Sequence, residues 1–125
     1  MALNYIDLTY EIAALLPKSE EYNVKSQISR AATSVALNIA EGSTGQTDAE
    51  QARFLGLAIR SLIETVACLH IIRRRILVQD QSRIDQMYRS AEILVAKLHA
   101  LRKTVAPEQK WLREDMSTYD ESSDA

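Results

Sequence analysis

Asn38, Glu41 and Glu64 invite a chemical reading first, because each interrupts a segment otherwise built of apolar or small residues. Two carboxylates held close together could do general acid–base work. Carboxylates on helices also pair with arginine or cap a neighbouring helix end, and Arg30, Arg53 and Arg60 are available partners. Structural polar contacts are therefore the expectation, with an enzyme using Glu41 and Glu64 as a remote alternative.

Gly42-Ser43-Thr44-Gly45 could cradle a phosphate, but a phosphate loop follows a strand and carries a lysine beside its Ser/Thr. Here a helical segment precedes and no lysine is present. The expected reading is a helix end, with Gly42 as its left-handed C′ residue, followed by a turn and a new helix start. Four-helix bundles hold metal pairs through Glu-x-x-His motifs. The two histidines, His70 and His99, each have alanine three residues before them, so no metal and no cofactor is expected. Cys68 lies between Ala67 and Leu69, and a thiol buried in such surroundings is inert. No catalytic residue is assigned, and the chain is read as a non-enzyme.

Arg73, Arg74, Arg75, Arg89 and Lys103 are the candidate nucleic-acid contacts. The stretch from Arg73 to Lys103 holds 8 basic and 3 acidic residues. Phosphate contacts need clustering on one side, whereas three consecutive arginines point in three directions, and no aromatic residues interleave to stack bases. A solvated face with helix-end cations is the plainer reading.

These residues must be positioned by helices. The 125 residues contain three glycines, two prolines and few aromatics, a composition that favours an all-α chain over one with many tight turns. Helices are expected over about residues 3–16, 24–41, 48–75 and 83–105. Their stripes are Tyr5, Leu8, Ile12 and Leu15; then Ile28, Ala32, Val35 and Ile39; then Leu55, Ala58, Leu62, Val66 and Leu69. The fourth runs Ile84, Met87, Tyr88, Ala91, Leu94, Val95, Leu98, Leu101 and Val105. Pro17 ends the first helix, Asn23 is placed to cap the second, and Thr47-Asp48-Ala49-Glu50 forms a capping box for the third. An antiparallel up-down-up-down four-helix bundle over residues 1–106 is the economical fold.

Residues 107–125 form an acidic C-terminal tail, in which Trp111, Leu112 and Met116 could dock on the bundle. One cysteine excludes an internal disulfide and fits a reducing compartment. No apolar run near about 18 residues is expected, and the opening residues lack the pattern of a signal peptide. A soluble, cytoplasmic protein without membrane contact is the expectation. Helices three and four carry apolar residues off their seams, namely Phe54, Leu57, Ile93, Ala96 and Ala100. Surplus apolar surface of this kind points to self-association.

The stretch SQISRAATSVALNIAEGS, Ser26 to Ser43, resembles a signature of the bacterial four-helix-bundle family first named for proteins encoded in 23S ribosomal RNA intervening sequences. The matching residues are Ser26, Gln27, Arg30, Ala31, Ser34, Val35, Asn38, Ile39, Ala40, Glu41 and Gly42. RFLGLAIRSLIE resembles a second signature through Arg53, Phe54, Leu55, Ser61, Leu62 and Glu64, and YEIAALLP resembles the family's first helix. The chain departs from the pattern at Ala36, Gly45 and Val66. The resemblance implies a left-handed bundle that assembles into a homopentamer, in a family mostly without assigned activity. It also implies a nucleic-acid role as an alternative, since one branch, the accessory proteins of diversity-generating retroelements, partners a reverse transcriptase. That branch is strongly basic, whereas this chain carries a formal charge of -2. A protein partner is not identified.

Overall fold

The computed structural model describes residues 1–45 and 47–106. The expected tail, with the docking of Trp111, Leu112 and Met116, lies outside them. The described residues form an all-helical, four-helix bundle without strands. Helix α1 spans Ala2–Leu15, α2 Val24–Ser43, α3 Asp48–Arg74 and α4 Gln81–Val105, with a 3-10 turn at Lys18–Glu20.

The helix ends show why the chain breaks where it does. Pro17 follows α1, and Leu16 before it is extended, at φ -71° and ψ 145°. At the head of α3 the Thr47 side chain accepts the Glu50 amide at 3.1 Å. Asp80 does the same for α4, accepting the Ser82 amide at 3.0 Å; its hydrogen bonds to Ser82 hold its carboxyl below the usual carboxylate range. Asn23 occupies the cap position of α2 but turns its amide to the Glu20 carboxylate, at 3.1 Å, and makes no side-chain cap. The end of α3 is unusual. Ile76, a β-branched residue, takes a left-handed φ of 51°, and the Leu77 amide reaches back to the Ile72 carbonyl at 3.0 Å. Glycine normally takes that place.

Gly42 corrects the expectation placed on it. It is not a left-handed cap: α2 continues to Ser43, Thr44 caps it at φ -104°, and no glycine has a positive φ among the described residues. Gly42 is buried inside the helix. A Cβ there would lie 3.4 Å from Phe54 Cβ, so the position marks a close approach of α2 to α3.

The core is aliphatic. Ile12, Ile28, Val35, Leu62, Leu69, Ile72, Ile84 and Met87 are fully buried, as the helical stripes require. Two expectations shift. On α1 the buried face is Tyr5, Thr9, Ile12 and Ala13 with Leu16 beyond, while Leu15 is exposed. On α4, Leu101 is exposed and its neighbour Arg102 is buried instead. By length and composition α3 could cross a membrane, which corrects the expectation that no apolar run approaches that length. Half of its apolar window is buried inside the bundle, as in the central helix of a packed core.

Three buried hydroxyls are accommodated inside, those of Tyr5, Thr9 and Thr65. The Tyr5 hydroxyl sits 2.7 Å from Thr65 Oγ1, and Thr65 Oγ1 donates to the Leu62 carbonyl, so Tyr5 donates to Thr65. Thr9 donates to its own helix at the Tyr5 carbonyl, 2.8 Å away. Burial pushes the Tyr5 phenol up to about 12, against the lowering effect of the Thr65 bond.

Candidate functional site

The signature residues converge on the seam between α2 and α3. Small side chains on α2 let α3 approach, and the polar atoms left between them pair across the gap. Ser34 Oγ meets Ser61 Oγ at 2.9 Å, and Asn38 Nδ2 donates to the Ser34 carbonyl at 2.9 Å and to Ser34 Oγ at 3.0 Å. One turn along, the Arg30 guanidinium faces Glu64 at 3.9 Å, both largely exposed. Asn38 thus bonds within α2 to Ser34, and Glu64 pairs with Arg30 across the seam. Ser61 was legible as part of a family signature but not as the partner of Ser34.

Glu41 and Glu64 are not brought together. Glu64 lies beside Arg30, and Glu41 is eleven residues further along α2, about 16 Å at 1.5 Å per residue. Glu41 is exposed. Arg53 lies over the neighbouring Phe54 ring, 5.5 Å from its centroid. The Gly42–Gly45 segment is spent on ending α2: Ser43 Oγ donates to the Ala40 carbonyl at 2.7 Å and Thr44 Oγ1 to the Glu41 carbonyl at 3.1 Å.

Beside the seam, Tyr10, Ser29, Arg30, Thr33, Ser34, Leu37 and Asn38 line a shallow groove of about 510 Å³. Tyr10 reaches Thr33 across it, hydroxyl to hydroxyl, at 3.3 Å. Leu37 stands 61% exposed at its edge. The groove is lined by one cation, Arg30, and by the hydroxyls of Tyr10, Ser29, Thr33 and Ser34.

The arginines at the α3–α4 turn are partly tied down. Arg73 faces Asp85 at 3.6 Å and lies 5.6 Å from the Tyr88 ring centroid. The Tyr88 hydroxyl meets His70 Nδ1 at 2.9 Å, and burial raises the Tyr88 phenol above its ordinary value. Arg74, Arg75 and Arg89 are exposed nearby. Lys103 is also exposed, but it is eighteen residues from Asp85 along α4, about 27 Å, so it does not join them. Among the expected contact residues for self-association, Ile93, Ala96 and Ala100 are exposed on α4, while Phe54 and Leu57 are half-buried. Cys68 is buried, and burial raises its thiol pKa. Among the described residues no group of three His, Cys, Asp or Glu gathers as metal ligands.

Compared with known families, residues 1–100 match the 23S rRNA-intervening sequence proteins. None of the curated proteins compared matches the chain. Among solved structures, the fold is similar to that of a protein of unknown function from the S23 ribosomal protein family of Bacteroides thetaiotaomicron. The two share 20% identity and a TM-score of 0.75, over 82% of this chain and 94% of the other.

Proposed function

The chain belongs to the 23S rRNA-intervening sequence protein family, and on that premise we propose that it is a non-enzymatic, cytoplasmic module that associates with copies of itself as a homopentamer and works by binding or scaffolding. In this reading the four helices run up-down-up-down with a left-handed twist. The pairings of Arg30 with Glu64, Arg73 with Asp85 and Glu11 with Arg83 support alternating helix directions. The observation that carries self-association is apolar surface outside the core. Ile93 is 52% exposed, with Ala96 and Ala100 on the same exposed side of α4. Small residues at that spacing admit a neighbouring helix, and a bundle helix in a monomer keeps a polar outer face. Native mass by light scattering tests the reading. A pentamer at micromolar concentration, lost in Ile93→Arg, is the expected result, and a clean monomer of the unaltered protein would remove it.

A second reading is a nucleic-acid accessory role, alongside a reverse transcriptase. It is favoured by the exposed Arg74, Arg75 and Arg89 at one end of the bundle. Repetition around a ring would add weak phosphate contacts. Uptake of RNA or single-stranded DNA that weakens as salt rises supports it; salt-insensitive or absent uptake removes it.

A further inference from the structure

The two diagonal helices of the bundle carry unlike outer faces. Among the described residues, α2 packs against α1 and α3, α4 packs against α3 and α1, and α2 and α4 do not meet. They therefore stand at opposite corners, with their outer faces directed apart. The outer face of α4 is a ridge. Ile93 is exposed there beside the small Ala96 and Ala100, and Lys97 follows it by one turn. The outer face of α2 is a depression. Half-buried Thr33 and Ser34 lie in the groove next to exposed Tyr10 and Leu37, and Glu41 follows Leu37 by one turn. Glu41 and Lys97 are both exposed, and neither has an ion-pair partner among the described residues.

We propose that the α4 ridge of one copy seats in the α2 groove of the next, Ile93 against Leu37 and Lys97 toward Glu41, so that each copy gives one face and receives the other. This pairing rests on the self-association reading above and gives it two surfaces. A contact between unlike faces runs head to tail and closes into a ring, whereas a patch that meets its own copy stops at a dimer. Two observations identify a second copy as the occupant. The first is level. Tyr10 meets Thr33 at 3.3 Å, and its neighbour Thr9 meets Met87 at 4.0 Å, so Thr33 and Met87 lie at one height in the bundle. From there Leu37 is four residues along α2 and Ile93 six along α4, while Glu41 is eight and Lys97 ten. Each pair differs by two residues, about 3 Å. In an up-down-up-down bundle α2 and α4 run the same way, and rotation about an axis along the helices preserves both direction and height. A neighbouring copy thus brings Ile93 and Lys97 to Leu37 and Glu41 in matching order. The second is charge. One turn beyond the exposed aliphatic residue, α2 carries an anion and α4 a cation, so the two faces complement each other without any other protein.

Leu37 and Ile93 are exposed, so replacing them spares the fold. Cysteines trap the contact, since a disulfide forms only where Cα atoms come within about 7 Å. In a Cys68→Ala chain under mild oxidation, Leu37→Cys mixed with Ile93→Cys should give a linked dimer holding one chain of each. Either variant alone should give several-fold less. Leu37→Arg should lower the native mass by light scattering with helical circular dichroism unchanged. Glu41→Lys and Lys97→Glu should each lower it too, and the two together in one chain should recover it. Two results would overturn the pairing while leaving self-association in place: an assembled unaltered protein whose native mass survives Leu37→Arg, or Ile93→Cys linking to itself as readily as to Leu37→Cys, the sign of a two-fold contact through α4. A monomeric unaltered protein without the mixed cross-link would remove self-association and the pairing together.

Discussion

The two ends of the bundle are built on different terms. At the α3–α4 turn, four helices enclose Ile12, Leu69, Ile72, Val78 and Ile84, all buried. At the α2–α3 connection the same long helices outrun α1, and the interior holds small residues and a buried guanidinium. A Cβ on Gly56 would lie 2.9 Å from Arg102 Nη2, so a glycine makes the room that the arginine fills. Aliphatic stripes suffice where all four helices are present. Where one stops short, the chain fills space with whatever side chain reaches it.

That contrast is open to measurement by urea unfolding. Leu69→Ala at the closed end should cost about 3 kcal/mol, in the range for a buried leucine whose cavity cannot collapse, whereas Leu101→Ala at the open end should cost less than about 1 kcal/mol. Equal losses would erase the distinction.

Tyr5 gives the next largest effect. Its folded pKa of about 12 exceeds the ordinary value of 10.0, so the folded state holds the proton more tightly. The associated stability is complete below pH 10 and is lost as pH rises toward 12, amounting to about 2–3 kcal/mol. The difference in stability between the unaltered protein and Tyr5→Phe should be flat below that window and shrink within it. A difference independent of pH would mean that the phenol is not sealed by α1.

The closed end also carries strain. Replacing left-handed, exposed Ile76 by glycine should raise stability by about 1 kcal/mol, read as a higher denaturation midpoint. The open end has room instead. Gly42→Ala places its Cβ at ordinary contact distance, 3.4 Å from Phe54 Cβ and 3.5 Å from the Gln51 carbonyl. It should therefore stabilise by up to about 1 kcal/mol through helix propensity. A loss would mean that α3 lies too close to α2 at Phe54 to admit the added methyl. The smallest change belongs to the exposed pair between the ends: Arg30→Met should alter stability by less than about 0.5 kcal/mol.

The helices were legible because their apolar period is strong, and the Thr47 cap because its chemistry is local. Gly42 was misread because a glycine near a helix end can also lie inside the last turn, and here α2 runs on to Ser43 before Thr44 ends it. Arg102 was missed because its burial depends on the space beside Gly56 on α3, which no local pattern on α4 records. At the candidate site, Asn38, Glu41 and Glu64 stood out as polar residues on small or apolar helices. Their pairing partners required the register of α2 against α3, and Glu41 and Glu64 could be separated only once that register was known.

The shortness of α1 also has a consequence in time. Helices α2 and α3 are neighbours in sequence, joined by the few residues between Ser43 and Asp48, so their pairing closes a small loop. Helix α1 instead meets Thr65 and Met87, across 60 and 78 residues, and longer closure is entropically dearer. The α2–α3 hairpin should assemble first and α1 should dock last. On native hydrogen exchange, the amides of α1 should then open at lower free energy than those of α3.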